Sequence, residues 1–158
     1  MEVKESLLKN ILSSFFNNKN EDILVNQLYR ALNKNDLNEF FKVLSHIFSH
    51  IPHEIFMKDK EAYYHSIIYI ILSIIGVRIG VEIQTNKGRI DAVIETIDNI
   101  YIMEFKLNYV NNAINQIEEK KYYEGYLLSK KPIYLVGVSF DPQERNIKEW
   151  KVEILIGA

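Results

Sequence analysis

The spacing of apolar positions predicts a helical first half for this chain. Up to about residue 75, apolar residues recur every three or four positions, as they do on one face of an α-helix. We predict helices over 7–16, 23–32 and 37–48, with Asp36 as the N-cap of the third and Pro52 beyond its end. A fourth helix, capped by Asp59 and ending before Gly76, is apolar on nearly all sides. It is therefore expected at the centre of the molecule.

From residue 77 the apolar period changes to two, which is typical of half-buried strands. We predict strands over 77–84, 89–96 and 100–107, joined by short turns at 86–88 and 98–99. Three consecutive strands with such short connections form an antiparallel meander.

A second helix-and-strand unit follows the meander. Asn111 or Asn112 begins a predicted helix that continues to about Leu128. The apolar run 133–140 is typical of a strand covered on both faces, and the helical crossover allows it to pair in parallel with strand 100–107. A last strand over 150–156 is expected at an edge. The fold class is therefore mixed α/β, with a central mixed sheet flanked by helices.

Two acids and a lysine break the apolar pattern of adjacent strands. Glu104 and Lys106 lie two residues apart, so they share one face of their strand, and a short turn brings Asp91 beside them. Two carboxylates so placed can chelate a hard divalent cation, and a neighbouring ammonium can position water and offset phosphate charge. Taken alone, Glu-x-Lys is also typical of a solvated or ion-paired strand face.

The helices on either side carry further candidates. Glu61 could reach the metal directly or through water, or could simply favour the first turn of its helix. His65 could contact phosphate, hold a carboxylate or be a core histidine. Gln116, Lys120 and Tyr123 follow the spacing of one helix face, which suits substrate binding and equally suits an ordinary amphipathic surface.

The composition restricts the classes of function. The net charge is -2, so any contact with nucleic acid must be local. A basic and aromatic stretch, interleaved with acids, could meet phosphates and bases or form a solvated face. It comprises Lys120, Lys121, Tyr122, Tyr123, Tyr126, Lys130 and Lys131.

The cysteine count and the hydropathy exclude further site types. The chain has no cysteine, so the four histidines and 21 carboxylates are its metal-ligand candidates. No apolar run is long enough to span a membrane, and a cytoplasmic location is expected. No phosphate-binding glycine loop or serine-histidine-aspartate motif is present.

Asp91 followed by Glu104-Phe105-Lys106, between a helix with Glu61 and a helix with Gln116, resembles the PD-(D/E)XK nuclease superfamily. Ile90 stands where the superfamily's name has proline. Several strings are similar to the branch often found behind an AAA-ATPase-like domain in bacterial proteins. These strings are 63–66, 88–91, 101–106 and 135–141, followed by Glu149-Trp150.

This resemblance implies a restriction-endonuclease-like αβββαβ core over residues 59–158, with residues 1–58 as a helical extension packed on it. It implies Mg²⁺ or Mn²⁺ on Asp91 and Glu104, Lys106 as the catalytic lysine, and Gln116 beside it. DNA is the substrate that it favours, and an ATPase domain outside this chain is the partner that it suggests. Homodimerisation stays open, and so does an alternative in which the fold binds or regulates without cutting.

Overall fold

The computed structural model describes Asn10 and residues 22–51, 61–75, 78–85, 88–110 and 112–155. Only the backbone is described at 22, 61–63, 74–75, 78–79, 81–85 and 88–89. The helices of this part are α1 (Asp22–Asn33), α2 (Leu37–Ser49), α3 (Glu61–Ile75) and α4 (Ala113–Lys120), with a 3₁₀ helix at Tyr122–Ser129. The strands are β1 (Arg78–Thr85), β2 (Gly88–Glu95), β3 (Ile100–Leu107), β4 (Ile133–Asp141) and β5 (Asn146–Ile154).

The five strands form one mixed sheet in the order β1-β2-β3-β4-β5. β1, β2 and β3 pair antiparallel, which confirms the predicted meander. β3 and β4 pair in parallel across the α4 crossover, which is also as predicted. β5 lies at the edge, antiparallel to β4, and begins at Asn146 rather than at the predicted residue 150.

Alternation along β3 divides the core between the two faces of the sheet. Tyr101, Met103 and Phe105 are buried in a cluster with α1, α2 and α3. Ile100 and Ile102 belong to a second cluster on the opposite face, which includes Ile114 and Ile117 of α4. The sheet is therefore covered by helices on both faces, as the apolar run in β4 predicted.

Helices α1 and α2 share the first of these clusters with the sheet. The Asp36 carboxylate accepts a hydrogen bond from Glu39 N at 3.1 Å, which confirms the predicted cap of α2. The Tyr101 hydroxyl donates to Leu32 O at 2.7 Å and so joins the end of α1 to β3. The predicted division between residues 58 and 59 lies outside the described residues and stays a prediction.

Other predicted features also lie outside the described residues. They are the helix over 7–16 apart from Asn10, the cap Asp59, the stop at Pro52 and the end at Gly76. Among the helices that are described, none combines the length and the apolar character that a membrane crossing needs.

The prediction of one helix from Asn112 to Leu128 is wrong. α4 ends at Lys120, Lys121 adopts the left-handed conformation with φ 51°, and a 3₁₀ helix follows. In a continuous α-helix, Tyr122 would lie about 140° around the axis from Ile117. The break instead buries Tyr122 in the same cluster as Ile117. The end of the helix therefore coincides with the burial of Tyr122, and it occurs without a glycine or proline at residue 121.

Candidate active site

The site lies where strands β2 and β3 separate. Their pairing ends at Ala92 opposite Met103, so Asp91 and Glu104 are the next residues at the separated end. There the Asp91 carboxylate accepts a hydrogen bond from Phe105 N at 2.9 Å. A side chain thus replaces the backbone acceptor that a continued ladder would supply. This contact fixes Asp91 beside Glu104, as the sequence pattern predicted.

Glu104 is buried, with 1% of its surface exposed. Its Oε2 accepts a hydrogen bond from Gln116 Nε2 at 3.2 Å, whereas its Oε1 is buried without a hydrogen-bond partner among the described residues. Burial, and then the adjacent Asp91 carboxylate, raise the pKa of Glu104 to about 9, although Lys106 acts in the opposite direction. The position strongly disfavours a negative charge that has no cation beside it.

Gln116 joins the acid to the lysine. Lys106 Nζ donates to Gln116 Oε1 at 2.9 Å, while Gln116 Nε2 donates to Glu104 Oε2. Gln116 lies in the first turns of α4, and that helix packs on the face of β3 that carries Glu104 and Lys106. The amide therefore holds both β3 side chains in fixed positions.

His65 approaches the site from α3. Its Nε2 lies 3.9 Å from Asp91 Oδ2, and both side chains are 13% exposed. The imidazole also lies against the Phe105 ring, with 4.7 Å between ring centroids. Of the roles predicted for His65, this position best suits contact with the Asp91 carboxylate.

The described contacts do not test the predicted roles of Glu61, Lys120 and Tyr123. Glu61 begins α3, but its side chain lies outside the described part of the structure. Because α4 ends at Lys120, Gln116, Lys120 and Tyr123 do not form one helix face. Lys120 is exposed, and Tyr123 packs beside the cluster beneath α4. Their predicted roles in substrate binding stay predictions.

The residues of the predicted basic and aromatic stretch lie in different environments. Lys121 and Lys130 are exposed, whereas Lys131 donates to Glu95 Oε1 and Thr96 O, both at 2.9 Å. Tyr122 is buried beneath α4. Lys131 and Tyr122 therefore support the fold at the end of β2 and under α4.

The donor set fits a hard divalent cation. Asp91 and Glu104 supply carboxylate oxygens, and the buried Glu104 Oε1 has no donor among the described residues. Mg²⁺ takes oxygen ligands and keeps several waters, so two carboxylates are a sufficient protein contribution. No group of three acids or histidines that could hold a metal occurs among the described residues.

The sequence prediction assigned no site role to three residues that lie on β4, just after β3 and on β5. Ser139 of β4 is paired in register with Lys106, and its buried hydroxyl has no hydrogen-bond partner in the described part of the chain. Tyr109, the second residue after β3, is 70% exposed, and Lys148 Nζ lies 5.0 Å from the centroid of its ring. An aromatic residue at the end of the candidate catalytic strand was the available signal for Tyr109.

Comparisons with known proteins agree with the fold. Residues 59–150 match the family model of the PD-(D/E)XK nuclease superfamily. The chain is also 31% identical over 136 residues to "Uncharacterized protein in vnfD 5'region" of Azotobacter chroococcum mcd 1. That match covers 82% of this chain and 26% of the relative, so the chain spans about a quarter of the relative's length. No solved structure shows a significant match.

Proposed function

Because the chain belongs to the PD-(D/E)XK nuclease superfamily, we propose that it is a metal-dependent nuclease that hydrolyses phosphodiester bonds in DNA. Asp91 and Glu104 are its metal ligands in this proposal, and Glu61 is a third candidate. Lys106 is the catalytic lysine, and Gln116 positions it. Mg²⁺ or Mn²⁺ is the cofactor.

The arrangement of Glu104, Gln116 and Lys106 carries this proposal. A purely structural Glu-x-Lys face would be exposed or would form a direct ion pair. Here the acid is buried, and the Gln116 amide lies between it and the ammonium. A buried carboxylate without an ion-pair partner destabilises a fold, and perturbed acids of this kind concentrate at functional sites. The geometry therefore favours a centre completed by a cation.

Each side chain has a distinct task in the proposed hydrolysis. A bound divalent cation would act as a Lewis acid and lower the pKa of water for attack on phosphorus. Asp91 is held in place by Phe105 N, and Gln116 engages Glu104 Oε2 while leaving Oε1 free for the cation. Lys106, held by Gln116 Oε1, offsets the negative charge that develops on the phosphate as the bond to the leaving oxygen breaks.

We also propose that this nuclease works beside an ATPase domain outside the present chain, in the cytoplasm. The resemblance of residues 135–141 and of the site strings to the ATPase-associated branch supports this. The relative is about four times longer than the region that it shares with this chain, which leaves room for such a domain.

Cleavage assays test the catalytic proposal. Supercoiled plasmid, linear duplex, single-stranded DNA and RNA would be incubated with Mg²⁺ or Mn²⁺. We expect metal-dependent cutting of DNA that falls by about 10²-fold or more in Asp91→Ala and Lys106→Ala, and by a smaller factor in Gln116→Ala. Lys42→Ala is the matched control, because Lys42 is an exposed lysine on α2, across the sheet from α4.

Equal cutting by wild type and Asp91→Ala would identify a contaminating nuclease. If no substrate is cut, thermal unfolding separates the remaining possibilities. A rise in melting temperature with Mn²⁺, lost in Asp91→Ala, would indicate a metal-binding module that does not cut. No response to either ion would contradict both the metal site and the nuclease.

A further inference from the structure

Tyr109 is displayed by a fixed loop at the end of the candidate catalytic strand. Asn108 has a left-handed backbone with φ 69°, and its N–H donates to Phe140 O at 2.8 Å. Tyr109 N donates to Leu107 O at 2.8 Å, so two successive backbone N–H groups of this turn are hydrogen-bonded. The ring nevertheless stays 70% exposed. Two residues separate Tyr109 from Lys106, so their backbones are at most about 10 Å apart.

A break in the edge strand brings a cation to this ring. Ser139 pairs with Glu149 and Phe140 pairs with Ile147, so Lys148 is the extra residue of a β-bulge. Its ammonium lies 5.0 Å from the Tyr109 ring centroid, within cation–π range. The neighbouring Glu149 carboxylate accepts a hydrogen bond from Val110 N at 3.3 Å, which ties the bulge to the same loop.

These contacts do not bury the aromatic ring. A tyrosine that served only the core would be covered, as Tyr101 and Tyr64 are. An exposed ring with a cation at one face can stack a nucleobase on its other face, and the ammonium can meet the adjacent phosphate. A base can stack in this way only where it is unpaired, so the arrangement favours a single-stranded or locally opened substrate.

We propose that Tyr109 and Lys148 form a nucleotide subsite, in which an unpaired base of the substrate strand stacks on Tyr109 and its phosphate contacts Lys148. The subsite rests on the proposed nuclease function and extends it to a preference for single strands. It would hold the strand a short distance from Lys106 and so place the scissile phosphate at the metal ligands.

Oligonucleotide binding and cleavage kinetics test the subsite. Binding of a labelled single-stranded DNA would be measured in EDTA, and kcat and KM would be measured with Mg²⁺. We expect Tyr109→Ala to weaken binding about 10-fold to 100-fold and to raise KM, with kcat changed less than about threefold. Tyr109→Phe keeps the ring and should bind within about threefold of wild type. Tyr29→Ala, an exposed tyrosine on α1, is the control.

Two further measurements separate stacking from a general loss of structure. An abasic unit would replace each nucleotide of the oligonucleotide in turn. At one position it should weaken binding by wild type, and at that same position it should have little effect on binding by Tyr109→Ala. Lys148→Ala should reduce the slope of log affinity against log salt by about 0.7, the value for one phosphate contact on a single strand. Wild type should prefer single strands over duplex more strongly than Tyr109→Ala does.

The outcomes distinguish this subsite from the nuclease proposal. DNA binding that depends on Tyr109 without any cutting would support the subsite and contradict the nuclease. Cutting with an unchanged KM in Tyr109→Ala would support the nuclease and overturn the subsite. Neither binding nor cutting of any nucleic acid would overturn both.

Discussion

The carboxyl of Glu104 links the chemistry of the site to the stability of the fold. Burial, and then the adjacent Asp91 carboxylate, raise its pKa to about 9, against an ordinary value of 4.5. The folded protein therefore keeps a proton that the unfolded chain has lost between these pH values. The stability that this group contributes is fully present below pH 4.5 and is lost as the pH rises towards 9.

We predict that Glu104→Gln removes this pH dependence. In EDTA, wild type and variant should have similar melting temperatures near pH 5, and the variant should be the more stable at pH 9. The neutral amide has nearly the shape of the protonated acid and carries no charge to desolvate. The difference in the free energy of unfolding between wild type and variant should change by at most about 1.4 kcal/mol per pH unit.

Melting curves from pH 5 to 9 measure this difference, and Glu119→Gln on the exposed face of α4 serves as the control. Parallel curves for wild type and Glu104→Gln would contradict the raised pKa. Adding Mn²⁺ at pH 8 should restore stability to wild type and leave Glu104→Gln nearly unchanged, because the variant lacks one metal ligand.

Ser139 offers a second test at the scale of one residue. Its hydroxyl is fully buried opposite Lys106, without a hydrogen-bond partner among the described residues. Removing a buried hydroxyl that makes no hydrogen bond removes a desolvation cost. We predict that Ser139→Ala unfolds at the same or a higher denaturant concentration, with a gain of up to about 1 kcal/mol. A loss of more than about 1 kcal/mol would show that the hydroxyl is bonded.

At the scale of elements, the packing of α4 on β4 determines where Gln116 lies. Gly137 of β4 allows this approach, because a Cβ added there would lie 2.8 Å from Ala113 Cβ and 2.9 Å from Val110 Cγ2. Both neighbours sit at or just before the start of α4, so a larger residue would push the helix away from the sheet.

We predict that Gly137→Ala destabilises the protein by about 1–3 kcal/mol through overpacking. The displaced helix should also lower cleavage activity, since Gln116 holds Lys106 and Glu104. Gly125→Ala is the matched control, because a Cβ at Gly125 meets no atom within 4 Å. Urea unfolding and cleavage assays on both variants measure the effect, and equal behaviour of the two would contradict the close approach.

At the scale of the whole molecule, one aromatic cluster joins the helical first part to the sheet. Phe48 of α2 stacks near Tyr64 of α3 and Phe140 of β4, with centroid distances of 6.4 and 5.8 Å. Phe105 lies 5.9 Å from Phe140, so the cluster continues to the residue whose amide holds Asp91. Helices α1 and α2 thus cover the strand that carries the site.

We predict that a chain beginning at residue 59 does not fold cooperatively, because the sheet face under α1 and α2 would be exposed. Near-ultraviolet circular dichroism and thermal melting measure this. In the full chain, Phe48→Ala should cost about 3–5 kcal/mol, and Tyr29→Ala should have little effect because that ring is 42% exposed. A truncated chain with a sharp transition and full cleavage would show that the core folds independently.

Much of the fold and of the centre could be predicted from local patterns. The turn residues Asp98 and Asn99 predicted β3 with its observed bounds, and Asp36 predicted the cap of α2, because both signals depend on neighbouring residues. Asp91, Glu104 and Lys106 could be singled out as candidates because polar residues that interrupt apolar strands are visible without coordinates. Gln116 was singled out through the family resemblance. The break after α4 was missed, since no local signal separates Lys121 from a helical residue.

The sequence by itself determined the order of elements, the class of the sheet and the identity of the two acids and the lysine. Only the tertiary structure decided that strands β2 and β3 separate at Asp91 and that Gln116 bridges Glu104 and Lys106. It also decided that α4 ends at Lys120, that Tyr122 is buried, and that a bulge brings Lys148 to Tyr109. Periodicity reflects which face of an element is buried, whereas these contacts depend on how separate elements compete for the same space.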